Sequence, residues 1–549
     1  MSARNLLGVV CFVCTAMVAS ATAADQRLPD AAERGDISTV RSLLQENAEV
    51  NGTQGDGMTA LHWAAENDDL EMARVLIRAG ADLGVGIRVG SITPLFLACT
   101  NGYRDMAELL LEAGADANSV ALAGTTALMQ AAASGSAEVV EALLGHGADV
   151  DRKEASRQQT ALMYAAALDR SAVVRVLAER GADLNATSKV ERIGEVLFDE
   201  DGNPMPAISR TGLTRGVGAG SPPPNGAVTG LGGLTALHYA SREGHMDTVR
   251  ALVESGARLD EVSPMDRSSP LVIAIANGHY DLGRYLLDQG ADPNLVTTAG
   301  YSPLHATVET RWSPVAWTPT SSTAANGILQ QESTYLDLMK ELLLRGADPN
   351  ARIVNTLWFN PPHHNSLWIE TAGSTAFWRA AQASDVDAMK LLVAFGADPT
   401  IPSNDGTTTL AVATGVGWAG NFSTNVPDSF MAAIEYLVEK SEIDVNVTDA
   451  TGYTALMGAS WRGDNEMVRY LVGQGASLDV RTELGWSVTD MANGPYLRSS
   501  VPVKHPETVA LLRELGAPEL IQVDDEEILG IIKRKIEVPE QPRKQPKPR

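Results

Sequence analysis

Apolar residues along the chain recur in short groups that are spaced for paired α-helices. In residues 59–80, Leu61, Ala64 and Ala65 form one group, and a second apolar group spans 71–77. Their spacing of three and four positions places the apolar side chains on one face of each helix. A threonine precedes the first group, where its hydroxyl can cap a helix, and a glycine follows the second, where left-handed backbone can end one. The segment therefore predicts one helical hairpin.

This hairpin pattern returns about every 33 residues. Eleven copies begin with a Thr or Ser cap, at Thr59, Thr93, Thr126, Thr160, Thr235, Ser269, Ser302, Thr375, Thr408, Thr454 and Ser487. In seven copies the second helix ends in Gly-Ala-Asp, at Gly80, Gly114, Gly147, Gly181, Gly290, Gly346 and Gly396. A lone hairpin cannot bury its apolar face, so neighbouring hairpins must stack into a solenoid.

The period and two phrases within it resemble the ankyrin repeat. The phrases are Thr-Ala-Leu-His, as at Thr59–His62, and Gly-Ala-Asp-x-Asn, as at Gly114–Asn118. The resemblance covers residues 28–518 outside the insertions and includes a half-matching unit at Pro29–Asn51. It implies antiparallel helix pairs, outward β-hairpins called fingers, and a concave face that binds proteins. The predicted fold class is all-α, an ankyrin-repeat solenoid of about 12 helix-pair repeats with finger hairpins, long loop insertions and a disordered tail.

Four intervals between repeats exceed the period, and the extra residues mark insertions at 187–233, 310–332, 353–371 and 414–427. The first and third are expected to enlarge fingers, and the second to lie between the two helices of a repeat. We therefore predict an N-terminal block of repeats at 24–186 and a C-terminal block at 234–520, which contains the last three insertions. Insertions in repeat proteins map to loops, often on a functional face.

The insertions differ in composition. Residues 187–233 are rich in Gly and Pro, and predict a hairpin around Asp201-Gly202 followed by a mobile loop. The later insertions are aromatic and contain Trp312, Trp317, Trp358, Phe359, Trp368, Trp418 and Phe422. Exposed tryptophans are typical of binding anchors, whereas loops that fold back bury their tryptophans in small satellite cores. Both interpretations are open from the sequence.

Both ends of the chain carry segments outside the repeats. Residues 1–23 combine Arg4, a short apolar run and the cleavage motif Ala21-Thr22-Ala23, which predicts a secretory signal peptide. We therefore expect a bacterial protein that is periplasmic or secreted, with cleavage after Ala23. Residues 521–549 predict a charged helix and a basic, Pro-rich disordered tail. The tail either binds an anionic surface or partner, or is simply solvated.

Net charge and composition limit the kinds of partner that the chain is expected to bind. The net charge of -25 argues against nucleic acid as a partner and favours a basic protein. No apolar segment reaches the ~18 residues of a membrane span. Cleavage of the signal removes two of the three cysteines, which leaves Cys99 without an intramolecular partner at a helical position that predicts burial. His62, His238 and His305 belong to the repeat phrase and are expected to be structural hydrogen-bonding residues.

Catalytic and metal-binding signatures are absent or weak. The sequence contains no GxSxG, HExxH or phosphate-binding loop, so we predict no enzymatic activity, no catalytic residue and no cofactor. Asp199, Asp201 and Asn203 start like a calcium loop, but the glycine and the closing glutamate of such a loop are missing. His363 and His364 have no third metal ligand at a suitable spacing.

We predict a non-enzymatic, monomeric scaffold that binds a partner protein through its concave face and its insertions. The expected contacts are residues before the caps, residues at the ends of first helices, and insertion tryptophans: Glu66, Asn67, Arg242, Glu243, Tyr301, Trp358, Trp368, Tyr453, Trp461, Arg462 and Trp486. Three alternatives are open. The chain could be an enzyme or enzyme subunit with a site near His363, His364 and Trp368, a secreted effector that acts on a host protein, or a structural spacer of the cell envelope.

Overall fold

The computed structural model describes residues 26–192, 230–312, 331–354, 369–418, 426–441, 443–495 and 503–520. Several sequence predictions lie outside these ranges: the signal segment 1–23, the Asp199–Asn203 turn, Trp317, Trp358, Phe359, His363, His364, Trp368, Phe422 and the tail 521–549. Within the described ranges, 24 α-helices form twelve consecutive antiparallel pairs. The prediction of an all-α solenoid of about twelve helix pairs is therefore confirmed.

The described residues fall into two compact units, the first ending at Met265 and the second beginning at Asp266. The helix pairs of the first unit are Arg27–Glu33 with Ile37–Gln45, Ala60–Glu66 with Leu70–Arg78, Pro94–Asn101 with Arg104–Glu112, Ala127–Ser134 with Ala137–Gly145, Ala161–Ala167 with Ser171–Glu179, and Ala236–Glu243 with Met246–Glu254. In this unit, the first helices of consecutive repeats pack against one another. A 3-10 turn at Leu122–Gly124 lies in one of its fingers.

The second unit contains the other six pairs. They are Pro270–Ala276 with Tyr280–Asp288, Pro303–Trp312 with Tyr335–Leu344, Ala376–Gln382 with Val386–Ala394, Thr409–Thr414 with Phe430–Ser441, Ala455–Arg462 with Asn465–Gly473, and Val488–Ala492 with Pro506–Glu514. Its first helices also pack against one another in chain order. No helix in the described ranges combines the length and the apolar character needed to cross a membrane.

The predicted caps begin the first helices. In all eleven repeats the Thr or Ser hydroxyl accepts a hydrogen bond from the backbone N–H three residues later, at Thr59, Thr93, Thr126, Thr160, Thr235, Ser269, Ser302, Thr375, Thr408, Thr454 and Ser487. This bond satisfies an N–H group that the helix itself leaves without an acceptor. The leucine two residues after the cap is then buried, with 1% exposure at Leu61, Leu95, Leu128, Leu162 and Leu237. The cap therefore sets which side chains face the neighbouring repeat.

Asparagine side chains connect the turns of consecutive repeats, and we call this series the asparagine ladder. Its members are Asn51, Asn118, Asn185, Asn294, Asn350 and Asn446, whose Oδ1 atoms each accept a backbone N–H of the next turn at 2.7–3.0 Å. In four of them Nδ2 also donates to the glycine carbonyl of that turn at 2.9–3.1 Å: Asn118, Asn294, Asn350 and Asn446. The Asn of the Gly-Ala-Asp-x-Asn phrase is thus an inter-repeat connection.

The repeats on either side of the first insertion stack directly. The backbone N–H of Arg258 donates to Asn185 Oδ1 at 3.0 Å, although these residues are 73 positions apart. Two short antiparallel strands, Glu191–Arg192 and Gly230–Leu231, pair at the base of the insertion. The stack of the first unit therefore continues past the inserted residues, as expected for an insertion in a finger.

The second insertion lies between the two helices of its repeat, and its last residues are hydrogen-bonded to the preceding repeat. The Asp281 carboxylate accepts hydrogen bonds from the backbone N–H groups of Glu332 and Ser333 at 2.8 and 2.9 Å. Gln331 Oε1 accepts the N–H of Asp281 at 2.9 Å in return. These bonds determine where the chain re-enters the helix Tyr335–Leu344.

Candidate protein-binding face

The ends of the first helices and the turns that follow them form what we call the first-helix edge. In the first unit this edge exposes four of the predicted contact residues, Glu66, Asn67, Arg242 and Glu243. Glu66 Oε2 accepts a hydrogen bond from Asn101 Nδ2 of the next repeat at 3.3 Å. The edge therefore presents polar side chains on a rigid helical support, as a binding surface requires.

Arg242 and Glu243 are engaged with each other on this edge. Their Nε and Oε1 atoms are 2.8 Å apart, and the Arg242 guanidinium also lies 5.2 Å from the ring centroid of Tyr239. Both side chains are about two-fifths exposed, at 43% and 40%. Because solvent screens such a pair, it contributes little to stability and leaves both groups available to a partner.

Four of the predicted contact residues are buried in the second unit, which corrects the expectation that they stand exposed on the binding face. Tyr301 is 0%, Tyr453 6%, Trp461 4% and Trp486 3% exposed. Their side chains therefore cannot act as surface anchors in this conformation. The equivalent residue before the Thr59 cap is the apolar Met58, which is also buried, with 8% exposure. An apolar residue at this repeat position was the sequence signal that Tyr301, Tyr453 and Trp486 face the core.

The residues before the caps are buried because they close the finger turn. The backbone N–H groups of Tyr301, Tyr453 and Trp486 donate to side-chain oxygens four residues earlier, at Thr297, Asp449 and Thr482. Their carbonyls accept the backbone N–H of those same residues at 3.0–3.1 Å. The closed turn fixes the backbone of each residue, and the Tyr301 ring lies 5.3 Å from the ring of His305 in the first helix.

Trp461 and Arg462 occupy different environments although they are adjacent. The indole N–H of Trp461 donates to the Trp418 carbonyl at 3.1 Å inside the unit. Arg462 is half-buried, with its guanidinium 3.6 Å from the Phe430 ring centroid and 5.3 Å from that of Trp418. Burial lowers the pKa of Arg462 to about 10, and the nearby Asp464 carboxylate opposes this effect. The guanidinium therefore stays charged at neutral pH.

A buried polar network lies at the edge of the second insertion, and sequence reasoning missed it. The Glu309 carboxylate and the Arg379 guanidinium form an ion pair at 2.5 Å, and Arg379 also donates to the Trp312 carbonyl at 2.9 Å. The Trp312 indole N–H and the Tyr335 hydroxyl both donate to Asp385 Oδ2, at 2.8 and 2.7 Å. Asp385 was recognisable as a helix cap, but Trp312 and Tyr335, which donate to it, come from the two helices of the preceding repeat.

Two aromatic residues of the insertions, Trp312 and Trp418, lie in the described ranges, and neither is fully exposed. Trp312 is 8% exposed, so its ring belongs to the core of the second unit and is not an exposed anchor. Trp418 is half-buried against Arg462. For these two residues the structure favours the interpretation in which insertion ends fold back onto the repeats.

The three repeat histidines differ. Nδ1 of His62 lies 2.8 Å from the Thr59 hydroxyl and Nδ1 of His238 lies 2.8 Å from that of Thr235, which confirms their structural role. His305 departs from the prediction, because neither of its ring nitrogens has a hydrogen-bond partner in the part of the chain that the structure describes. Its ring packs against Tyr301 at 5.3 Å between centroids, and burial lowers the pKa of His305 to about 4.

Cys99 is fully buried, as its helical position predicts, and burial raises the pKa of its thiol. A thiol without access to solvent and with a raised pKa is a packing residue rather than a nucleophile. Across the described ranges, no three His, Cys, Asp or Glu side chains are gathered in a way that would hold a metal ion.

Several proteins are similar in sequence to short stretches of this chain. A B-cell lymphoma 3 protein homolog of Mus musculus is 35% identical over 96 residues, which is 18% of this chain and 21% of that protein. A putative palmitoyltransferase of Danio rerio is 35% identical over 83 residues, 15% of this chain and 13% of that protein. A palmitoyltransferase of Schizosaccharomyces pombe is 43% identical over 54 residues, 10% and 8% respectively. The chain thus spans at most about a fifth of these three relatives, all of which are eukaryotic.

Models of the ankyrin repeat match most of the regular helix pairs. The model described as ankyrin repeats (3 copies) matches three times. Two of the matches overlap, at residues 28–121 and 113–188, and the third covers residues 220–311. A further match to the single ankyrin repeat covers residues 451–483. These matches include four members of the asparagine ladder, Asn51, Asn118, Asn185 and Asn294. The chain belongs to the ankyrin-repeat family.

Proposed function

We propose that this chain is a non-enzymatic scaffold that binds a partner protein through the first-helix edge and the insertions. Ankyrin repeats are protein-interaction modules, which supports binding but names no partner. The stretches shared with the two palmitoyltransferases cover 13% and 8% of those proteins, so their names support no enzymatic proposal for this chain.

The observation that carries the proposal is a contrast between core and edge positions in the first unit. Two residues after each cap the side chain is always a buried leucine with 1% exposure. Eight residues after the caps, on the first-helix edge, the side chain differs in chemistry from repeat to repeat: Asn67, Asn101, Ser134, Leu168 and Glu243. Packing therefore constrains the core and leaves the edge free to vary, as recognition of a particular partner requires.

Photo-crosslinking tests this proposal directly. A photoreactive amino acid replaces Asn67 or Leu168, which are both exposed on the first-helix edge of the first unit. The matched control replaces Glu112, an exposed residue at the end of the second helix Arg104–Glu112. We expect Asn67 and Leu168 to crosslink to the same protein in cells and Glu112 to give no such adduct. Adducts from the control alone, or from none of the three positions, contradict the proposal.

We further propose that the mature protein is an exported monomer, bacterial and either periplasmic or secreted. The support is the signal-like sequence of residues 1–23. Mass spectrometry of the protein recovered from cells is expected to show an N-terminus at Ala24. An intact Met1 would contradict export by cleavage after Ala23. A sedimentation mass of one chain is expected for the mature protein.

The acidic composition supports a basic partner. A net charge of -25 attracts cationic surfaces and raises their association rate at low ionic strength. The rate of complex formation is therefore expected to fall as salt rises. A rate that does not depend on salt would contradict the charge argument while leaving the binding proposal in place.

A further inference from the structure

Arg462 lies at a junction of three elements in the second unit. It ends the helix Ala455–Arg462, Phe430 begins the helix Phe430–Ser441, and Trp418 follows the helix Thr409–Thr414. The guanidinium carbon is 3.6 Å from the Phe430 ring centroid and 5.3 Å from that of Trp418. Both aromatic rings therefore lie within cation–π distance of the guanidinium group and restrict where it can lie.

The backbone around Arg462 is built to admit this side chain. Gly415 has a φ of +119°, and a Cβ at that position would overlap Arg462 Cδ. Any other residue at 415 would displace the arginine stem. A glycine in left-handed backbone thus leaves room for a side chain from the following repeat.

The Arg462 cation has no acidic partner within the described ranges, where no carboxylate lies within 4.0 Å of it and its guanidinium donates no hydrogen bond. The stretches 419–425 and 496–502, which follow Trp418 and precede His505, contain no Asp or Glu. The nearest acid along the chain is Asp464, whose carboxylate accepts the Met467 N–H at 3.1 Å as a helix cap. Among the acidic residues that the structure describes, none forms an ion pair with this arginine.

Because Arg462 is half-buried, the absence of an ion-pair partner among the described residues has an energetic cost. Removing a guanidinium from water costs free energy that a carboxylate can offset through two parallel N–H···O bonds. Ring stacking has already restricted the side chain, so less conformational entropy is lost when a ligand binds. Arg462 therefore combines a positive charge, N–H donors that have no acceptor among the described residues, and a position restricted by two aromatic rings.

We propose that Arg462, held between Phe430 and Trp418, binds a carboxylate of the partner protein. The carboxylate belongs either to an Asp or Glu side chain or to the C-terminus of the partner chain. This inference rests on the proposed scaffold function and adds a chemical class to one of its contacts. It also means that the partner carries an acidic group at this point, whatever its overall charge.

The test uses the full chain labelled with ¹⁵N at arginine Nε and three short peptides as probes. The first is an acetylated and amidated Gly-Glu-Gly-Glu-Gly, the second an acetylated penta-glycine with a free C-terminus, and the third an acetylated and amidated Gly-Gln-Gly-Gln-Gly. The Arg462 Nε–H resonance is assigned as the one that disappears in Arg462→Lys. We expect a saturable shift of this resonance with the first or the second peptide, which identifies the source of the carboxylate, and none with the third.

Two variants complete the test. Arg462→Gln is expected to weaken carboxylate-peptide binding about tenfold or more, as loss of a charge-assisted bond requires. The matched control is Arg345→Gln, because Arg345 lies in the same unit, is not one of the predicted contact residues, and is already paired with Asp288 and Glu341 at 2.7 and 2.8 Å. It is expected to leave peptide binding unchanged. If Arg462→Gln does not fold, as judged by circular dichroism, the titration of the unaltered chain decides alone.

The two proposals fail in different ways. No shift of the Arg462 resonance with either carboxylate peptide, or an equal shift with the glutamine peptide, overturns the carboxylate site. Crosslinking from Asn67 and Leu168 would then still stand as evidence for a partner. Conversely, a carboxylate-specific shift without any crosslinked protein would retain the site and contradict the scaffold function.

Discussion

Glu309 Oε2 lies 2.5 Å from Nε of Arg379, a residue 70 positions further along the chain, and both side chains are buried, at 2% and 7% exposure. Arg379 also donates to the carbonyl of Trp312, the last residue that the structure describes at the start of the second insertion. The ion pair therefore joins the first helices of two consecutive repeats beside an inserted segment.

The ion pair leads to a prediction about stability. Arg379→Met removes the counter-charge of a buried carboxylate, and we expect a loss of about 3–5 kcal/mol in the free energy of unfolding. The double variant Glu309→Leu with Arg379→Met removes both charges and is expected to recover most of that loss. Urea titration followed by circular dichroism measures both. Equal losses in the single and the double variants would show that the charge pairing is not what stabilises this contact.

The asparagine ladder predicts a second effect. Asn350→Ala removes the bonds from Asp398 N–H to Oδ1 at 2.7 Å and from Nδ2 to the Gly396 carbonyl at 3.0 Å. Two hydrogen bonds at a partly exposed turn correspond to about 1–2 kcal/mol of stability. Thr400→Ala is the matched control, since Thr400 occupies the same repeat position but, among the described residues, bonds only to Asp398 of its own turn. Similar losses for both substitutions would argue against an inter-repeat role.

Burial of Trp461 predicts that its replacement unfolds the second unit rather than weakening a surface contact. Trp461→Ala removes a side chain with 4% exposure and its hydrogen bond to the Trp418 carbonyl. We expect a loss of about 3–5 kcal/mol, as for other buried tryptophans. Asn67→Ala, an exposed substitution, is expected to change the free energy of unfolding by less than about 0.5 kcal/mol. An unchanged thermal midpoint for Trp461→Ala would restore Trp461 as a surface anchor.

His305 predicts a dependence of stability on pH. Its folded-state pKa of about 4 lies below the ordinary histidine value of 6.5, because burial disfavours the charged ring while Glu309 opposes and Arg379 reinforces that effect. Below pH 6.5 the unfolded chain binds a proton that the folded chain does not. The stability contributed by neutral His305 is therefore complete above pH 6.5 and is lost as the pH falls toward 4, by up to about 3 kcal/mol.

The variant His305→Gln isolates this effect, because glutamine does not titrate. The difference in unfolding free energy between pH 7 and pH 4.5 is expected to be smaller in His305→Gln than in the unaltered chain. His146→Gln, at an exposed histidine, serves as the control and is expected to retain the full pH dependence. An unaltered pH dependence in His305→Gln would assign the acid sensitivity to other groups.

Local chemistry was sufficient for the repeat architecture. A hydroxyl cap, an apolar helix face and a terminal glycine act within about ten residues of one another, so each hairpin could be predicted from its own sequence. The period then implied stacking, because a single hairpin leaves its apolar face uncovered. The eleven caps and the structural roles of His62 and His238 follow from these short-range rules.

The candidate binding residues could not be predicted in the same way, because their burial depends on contacts between residues far apart in the sequence. Sequence predicted Tyr301, Tyr453 and Trp486 as contacts because the position before each cap varies between repeats, but these residues close the finger turn and are buried. Only the tertiary structure brings Arg462 between Phe430 and Trp418, since these rings come from segments separated by an insertion.

The sequence by itself determined the helix pairs, their caps and their order, because those depend on neighbours along the chain. The tertiary structure decided which polar side chains are buried, paired or left without a counter-charge. Glu309 meets Arg379 inside the second unit, whereas Glu66, at the equivalent repeat position of the first unit, faces solvent. Identical positions in the repeat thus acquire different roles, because burial and pairing depend on what the adjacent repeat and its insertion place opposite them.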